Sequence, residues 1–220
     1  MRSMLRSYGA AKRLVQLLAA LTLPIAAPAM AAPAPKLVLA FGDSLTAGYR
    51  LKPGESFPAQ LEARLRRDGY KVSVRNAGVS GETTAQGRKR LGWVLQSLKA
   101  KPDLVILELG ANDMLRGIDP DQTTANLSAM LVELKKRQIP VLLAGMLAAP
   151  NLGKDYRRRF DAVYPAVAKR HGVSLYPFFL AGVVGKPTLH LGDGIHPTGA
   201  GVAVVVRGIA PQVKQLLRLP

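Results

Sequence analysis

Leu37-Val38-Leu39-Ala40-Phe41 runs without a polar residue and then stops at Gly42-Asp43-Ser44-Leu45. An unbroken apolar run of this length suits a parallel strand covered on both faces; a strand with one wet face would alternate. Leu104-Val105-Ile106-Leu107 and Val141-Leu142-Leu143-Ala144 have the same character, and Lys71 to Arg75 and Val173 to Tyr176 are weaker strand candidates. Helical stripes lie between them. Leu91, Val94, Leu95 and Leu98 fall at i, i+3, i+4 and i+7, as do Leu127, Met130, Leu131 and Leu134. A third stripe holds Tyr156, Phe160, Val163 and Val167, and the last starts at Val202, Val205, Val206 and Ile209. Asp119 is placed to cap a helix, with Pro120 at its first position and Gln122 closing a capping box. Thr198 can cap the last helix, which Pro211 is expected to kink or split.

Strand alternating with helix implies right-handed crossovers and a three-layer, doubly wound α/β domain. For five parallel strands the common order is 2-1-3-4-5, which sets strands 2 and 3 on either side of strand 1. Ligands in such sheets bind beyond the carboxyl ends of the strands. The polar residues that follow strands 1, 2 and 3 are therefore expected to meet in one crevice.

The chain's 220 residues suffice for one such domain. Hydrophobic residues at 48% and charged residues at 20% exclude a disordered or collagen-like chain. The absence of cysteine excludes a disulfide scaffold, a thiolate metal site and a cysteine nucleophile. Lys and Arg number 31 against 14 Asp and Glu, a formal charge of +17 that favours contact with polyanions such as an anionic membrane surface. The basic clusters Arg64-Arg66-Arg67, Arg88-Lys89-Arg90, Lys135-Lys136-Arg137 and Arg157-Arg158-Arg159 read as solvated helix faces. They are not interleaved with aromatics and form no nucleic-acid module.

Arg2, Arg6, Lys12 and Arg13 precede an apolar stretch from Leu14 to Ala29 that is broken by Pro24 and Pro28, and Ala29-Met30-Ala31 follows. That order reads as a secretory signal peptide over residues 1–31. The stretch before Pro24 is well short of the roughly 20 residues that span a bilayer, which argues against a permanent anchor. Residues 32–220 form the expected mature domain, periplasmic or secreted, with its oligomeric state open.

The residues at the strand ends carry the ingredients of acyl transfer. Gly42-Asp43-Ser44-Leu45 follows strand 1, Asn76 to Thr83 follows strand 2, Gly110-Ala111-Asn112-Asp113 follows strand 3, and Asp193-Gly194-Ile195-His196 precedes the last helix. A serine hydroxyl is a poor nucleophile until a base removes its proton, and His196 is the available base for Ser44. Asp193, three residues earlier, can reach Nδ1 and fix the tautomer. The oxyanion needs donors fixed in advance. The Ser44 and Gly81 N–H groups and the Asn112 amide can converge from three strands. Three histidines, no cysteine and no His-x₃-His leave a metal site thinly supplied, so neither metal nor other cofactor is expected. Asp43 and Glu108 read as supporting hydrogen-bonding groups. Met114 to Ile118 reads as a loop, or as a flap over an acyl chain, with Met146 to Pro150 as the facing wall.

These four blocks resemble, in order and spacing, those of the SGNH (GDSL) hydrolases, and the match extends across essentially the whole mature chain. Asn76 to Gly87, Glu108 to Gly117 and Pro187 to Pro197 are similar to the bacterial periplasmic thioesterase/lysophospholipase/arylesterase group. The resemblance implies a flavodoxin-like α/β/α sandwich and Ser44, Asp193 and His196 as the catalytic triad. It also implies an oxyanion hole of Ser44, Gly81 and Asn112, with substrate contacts from Leu45, Asp113, Met114, Leu115, Met146, Leu147 and Pro150. Relatives often carry a glycine where this chain has Ala111, and an arginine where it has Leu147. The expected substrates are acyl esters and thioesters, lysophospholipids among them. A carbohydrate deacetylase of the same fold and a non-catalytic polyanion-binding protein are the alternatives.

Overall fold

The computed structural model describes residues 35–219, and the leader read from residues 1–31 lies outside the described residues. Five strands, β1 (Lys36–Gly42), β2 (Val72–Gly78), β3 (Leu104–Glu108), β4 (Val141–Ala144) and β5 (Ser174–Tyr176), form one parallel sheet. Its order is β2-β1-β3-β4-β5, as the strand and helix pattern requires. Gly42 lies opposite Gly78 on one side and Glu108 on the other, so three strand ends share one rim.

Among the described residues, eight α-helices connect and flank the strands: α1 (Ser44–Ala47), α2 (Phe57–Arg67), α3 (Thr84–Ser97), α4 (Ala111–Leu115), α5 (Pro120–Lys136), α6 (Lys154–Asp161), α7 (Val163–His171) and α8 (Gly199–Leu217). α2 packs on α8, and α3, α5 and α7 pack side by side, the two outer layers that right-handed crossovers produce. The sheet between them supplies the fully buried Leu39, Phe41, Ile106 and Leu107, and Leu127, Met130, Leu131 and Leu134 of α5 belong to the same core.

Four local expectations change. β2 runs three residues beyond Arg75, because β1 carries the ladder out to the Gly42–Gly78 pair. Glycine is needed at 78, where a Cβ would strike the backbone of Asp43 and Ala47. The Tyr156 to Val167 stripe is divided between α6 and α7. Pro165 has no N–H for the Asp161 carbonyl and its ring crowds that turn, so the ladder breaks at Ala162. Asp119 caps α5 but makes no capping box; its carboxylate takes the Asp121 N–H at 2.8 Å and the Arg159 guanidinium at 2.6 Å. Finally, Pro211 does not split α8. Pro211 and Arg207 both face solvent, so water can serve the carbonyl freed there, while Val205, Val206, Ile209, Ala210 and Val213 stay buried on the opposite side.

Candidate active site

β1 ends in a tight turn that puts Ser44 at the first position of α1, with Asp43 as the cap accepting the Leu45 N–H at 3.0 Å. A residue opening a helix keeps a backbone N–H without an intrahelical partner. The Ser44 hydroxyl, 152 residues away from His196 in the chain, lies 2.9 Å from its Nε2. His196 Nδ1 is 2.8 Å from Asp193 Oδ2, while Asp193 Oδ1 accepts the Ile195 and His196 N–H groups, each at 2.9 Å. With the proton on Nδ1 held by the carboxylate, Nε2 is left to accept from the serine. Burial alone would raise the Asp193 carboxyl, but those two backbone donors and the ring outweigh it and hold the group well below the usual carboxylate range.

Gly81 takes φ +80°, a left-handed conformation open to glycine at little cost, and lines the cleft beside Ser44. Asn112 opens toward the same space from α4 and donates its amide to Asp43 Oδ2 at 3.1 Å, which fixes the amide's orientation and leaves its second N–H free of that bond. The structure therefore brings Ser44, Gly81, Asn112 and His196 to one cleft, with Asp193 behind the histidine.

That cleft has a volume of about 1060 Å³. Leu45, Met114, Leu115, Met146, Leu147 and Pro150 line it. Asp113 does not. Its carboxylate is buried and turned away into the seam between α3 and α5, where it accepts the Thr84 N–H at 2.8 Å and the Thr123 hydroxyl at 3.1 Å. Met114 and Leu115 belong to the short helix α4 and not to a loop, and the Ile118 carbonyl beyond it accepts from Tyr156 Oη at 2.9 Å. Among the described residues, no three His, Asp or Glu side chains are grouped to hold a metal ion.

Several supporting residues escaped the sequence reading. The Tyr49 ring packs 4.5 Å from that of His196, and the Arg116 guanidinium holds the Gly81 carbonyl at 2.7 Å. Arg90, read as part of a solvated cluster, instead pairs with the buried Glu82. It also donates to the Gly42 and Ala77 carbonyls at 3.2 and 2.8 Å and lies over the Phe41 ring. It ties β1 to β2 under the rim that bears Ser44. Nothing in an Arg-Lys-Arg run separates the inward member from the outward ones.

Two buried carboxyls underlie Ser44. Glu108 Oε2 accepts the Thr46 hydroxyl at 2.8 Å, and Oε1 has no partner among the described residues. Burial, reinforced by the Asp43 charge, pushes Glu108 well up, and burial pushes Asp43 up to about 7. From the ordinary Asp value of 3.8 up to about 7, the folded chain keeps a proton that the unfolded chain has released. Stability is therefore expected to fall as pH rises through that window. Asp43→Asn should make this slope shallower, with the buried Glu108 carboxyl carrying what remains. Urea unfolding between about pH 4 and pH 8 checks it, and a wild-type curve that is flat there would contradict the proton count.

The GDSL-like Lipase/Acylhydrolase family model matches residues 40–204. The chain is 41% identical over 167 residues to an arylesterase of Vibrio mimicus, covering 76% of this chain and 82% of that protein. It is 38% identical over 180 residues to "Thioesterase 1/protease 1/lysophospholipase L1" of Escherichia coli, covering 82% of this chain and 84% of that one. The crystal structure of AlinE4, an SGNH-hydrolase family esterase, superimposes with a TM-score of 0.73 at 48% identity, over 86% of this chain and 100% of that one. Similarity of this extent, reaching from β1 into α8 and therefore spanning every strand end that meets at the rim, means that the chain belongs to the GDSL-like lipase/acylhydrolase family.

Proposed function

We propose that this ester hydrolase works through an acyl-enzyme on Ser44 and acts on carboxylic esters and acyl thioesters with medium or long acyl chains. The observation that carries the mechanism is the continuous relay Asp193–His196–Ser44, with links of 2.8 and 2.9 Å. His196 Nε2 takes the Ser44 proton as Oγ bonds to the acyl carbon, and the carbonyl π electrons move onto oxygen. The Ser44 and Gly81 N–H groups and the Asn112 amide stabilise that oxyanion. One such donor contributes about 3 kcal/mol. Collapse expels the alcohol or thiol, which receives the proton from His196. Water then repeats the sequence on the acyl-enzyme and releases the acid and the free serine.

The lining of the cleft supports the substrate class. Leu115, Leu147, Val184 and Ile195 are exposed and stand around it, while Met114 and Met146 are buried within it. An acyl chain laid there gains about 0.8 kcal/mol per methylene removed from water. A polysaccharide deacetylase would need an open polar groove instead. The basic leader and apolar stretch of residues 1–31 support export of a mature domain covering 32–220, and the chain's positive charge supports contact with anionic membrane surfaces.

Treatment with a fluorophosphonate followed by mass spectrometry tests the assignment. One adduct on Ser44 is expected. Labelling of another residue, or none in a folded and ester-hydrolysing sample, would refute it.

A further inference from the structure

α6 carries three consecutive arginines with different fates. Arg158 pairs with Asp155 at 3.2 Å, and Arg159 bridges Asp119 and Asp121 at 2.6 and 3.1 Å. Arg157 lines the acyl cleft, and its Nε is buried with no hydrogen-bond partner among the described residues. A carboxylate is close by in sequence. Asp161, one helical turn on, lines the same cleft, but its Oδ1 is engaged by the Ala148 N–H at 2.8 Å. Lys186 and His190 line the cleft as well, and His190 Nδ1 is likewise buried and unpartnered.

A guanidinium stays charged at any working pH, and a buried N–H without an acceptor is costly. Arg157 and Lys186 give this side of the cleft two cations against the single Asp161 carboxylate, an excess complementary to a ligand that brings its own anion. Resting on the Ser44 reading above, we propose that Arg157, with Lys186 in support, forms an anion subsite of the cleft that selects esters and thioesters carrying a carboxylate or phosphate. The shared chemistry is an anionic oxygen group presented to the guanidinium fork. Arg157 arises from α6, which follows β4, whereas Ser44 follows β1, with β3 between those two strands. Strands are spaced about 4.8 Å apart, so β1 and β4 are separated by about 10 Å. Because the reacting ester or thioester carbonyl is itself neutral, the anion lies elsewhere on the substrate, at the end of an acyl tail or on the leaving group.

Two matched substrate pairs test the proposal on the purified protein. Hexanoyl-4′-phosphopantetheine and hexanoyl-pantetheine differ only in a phosphate on the leaving group. p-Nitrophenyl hydrogen adipate and p-nitrophenyl hexanoate differ in a terminal carboxylate on the acyl tail. In at least one pair, Arg157→Gln should lower the anionic-to-neutral ratio of kcat/KM by roughly 10- to 100-fold, and Arg157→Lys should lower it less. The pair that responds identifies the source of the anion. Ratios unchanged in both pairs, or anionic and neutral members losing rate together, would overturn the subsite. Hydrolysis of the neutral members by the unmutated protein reports the Ser44 chemistry by itself, so the two readings fail separately.

Discussion

Ser44→Ala is expected to lower kcat/KM for p-nitrophenyl butyrate by roughly 10⁴- to 10⁶-fold while the protein stays folded. The hydroxyl lies at the bottom of a rim whose backbone is held by Asp43, Thr46 and Arg90, none of which depends on Oγ. Loss of the oxygen therefore removes the nucleophile and spares the turn. His196→Ala should cost about as much, because an undeprotonated serine attacks poorly. The double variant should be scarcely worse than either single one, since members of one relay act as a unit. Initial rates with the three proteins at matched concentration decide the matter. Costs that multiply in the double variant would show that serine and histidine work independently, contrary to the 2.9 Å contact.

Asp193→Asn is expected to reduce kcat by about 10⁴-fold with little change in KM. The amide oxygen can still accept the Ile195 and His196 N–H groups that now bond to Oδ1. The damage falls on the other atom. An amide nitrogen facing Nδ1 donates where the carboxylate accepted, so the ring must carry its proton on Nε2, facing Ser44. A histidine protonated there cannot take the serine proton. In the wild type the carboxyl is held so far below its usual range that it stays charged throughout the assay range, so the acid limb of the pH profile belongs to another group. Steady-state kinetics with p-nitrophenyl butyrate separates kcat from KM. A variant retaining a tenth of wild-type kcat would show that the carboxylate only props the loop.

What could be read from the chain in advance depended on whether a signal was local. Leu37 to Phe41, Leu104 to Leu107 and Val141 to Ala144 announce buried parallel strands because both faces of each must be apolar. The order 2-1-3-4-5 follows from handedness and chain economy. That Ser44, Gly81 and Asn112 meet in one cleft was legible because the topology gathers the ends of β1, β2 and β3 at one rim. Asp113 misled because adjacent residues on a one-turn helix point in different directions: Asn112 faces the cleft, and Asp113 meets Thr84 and Thr123. The roles of Arg90, Arg116 and Tyr49 rest on contacts with distant backbone or rings, for which an isolated side chain carries no mark. The capping box that the structure does contain, Thr83 with Gln86, was present in the sequence as Thr-x-x-Gln. At Asp119 a competing arginine from α6 took the carboxylate instead.

Asp193 and His196 sit on a single four-residue turn, stitched together by the backbone donors of Ile195 and His196, whereas Ser44 belongs to a different turn at the far end of the chain. The machinery is thus two preassembled cartridges meeting at one oxygen-to-nitrogen joint. A substitution that shifts the turn of residues 193–196 therefore carries His196 and Asp193 together and is felt at the 2.9 Å contact with Ser44 before it is felt at the 2.8 Å contact within the turn.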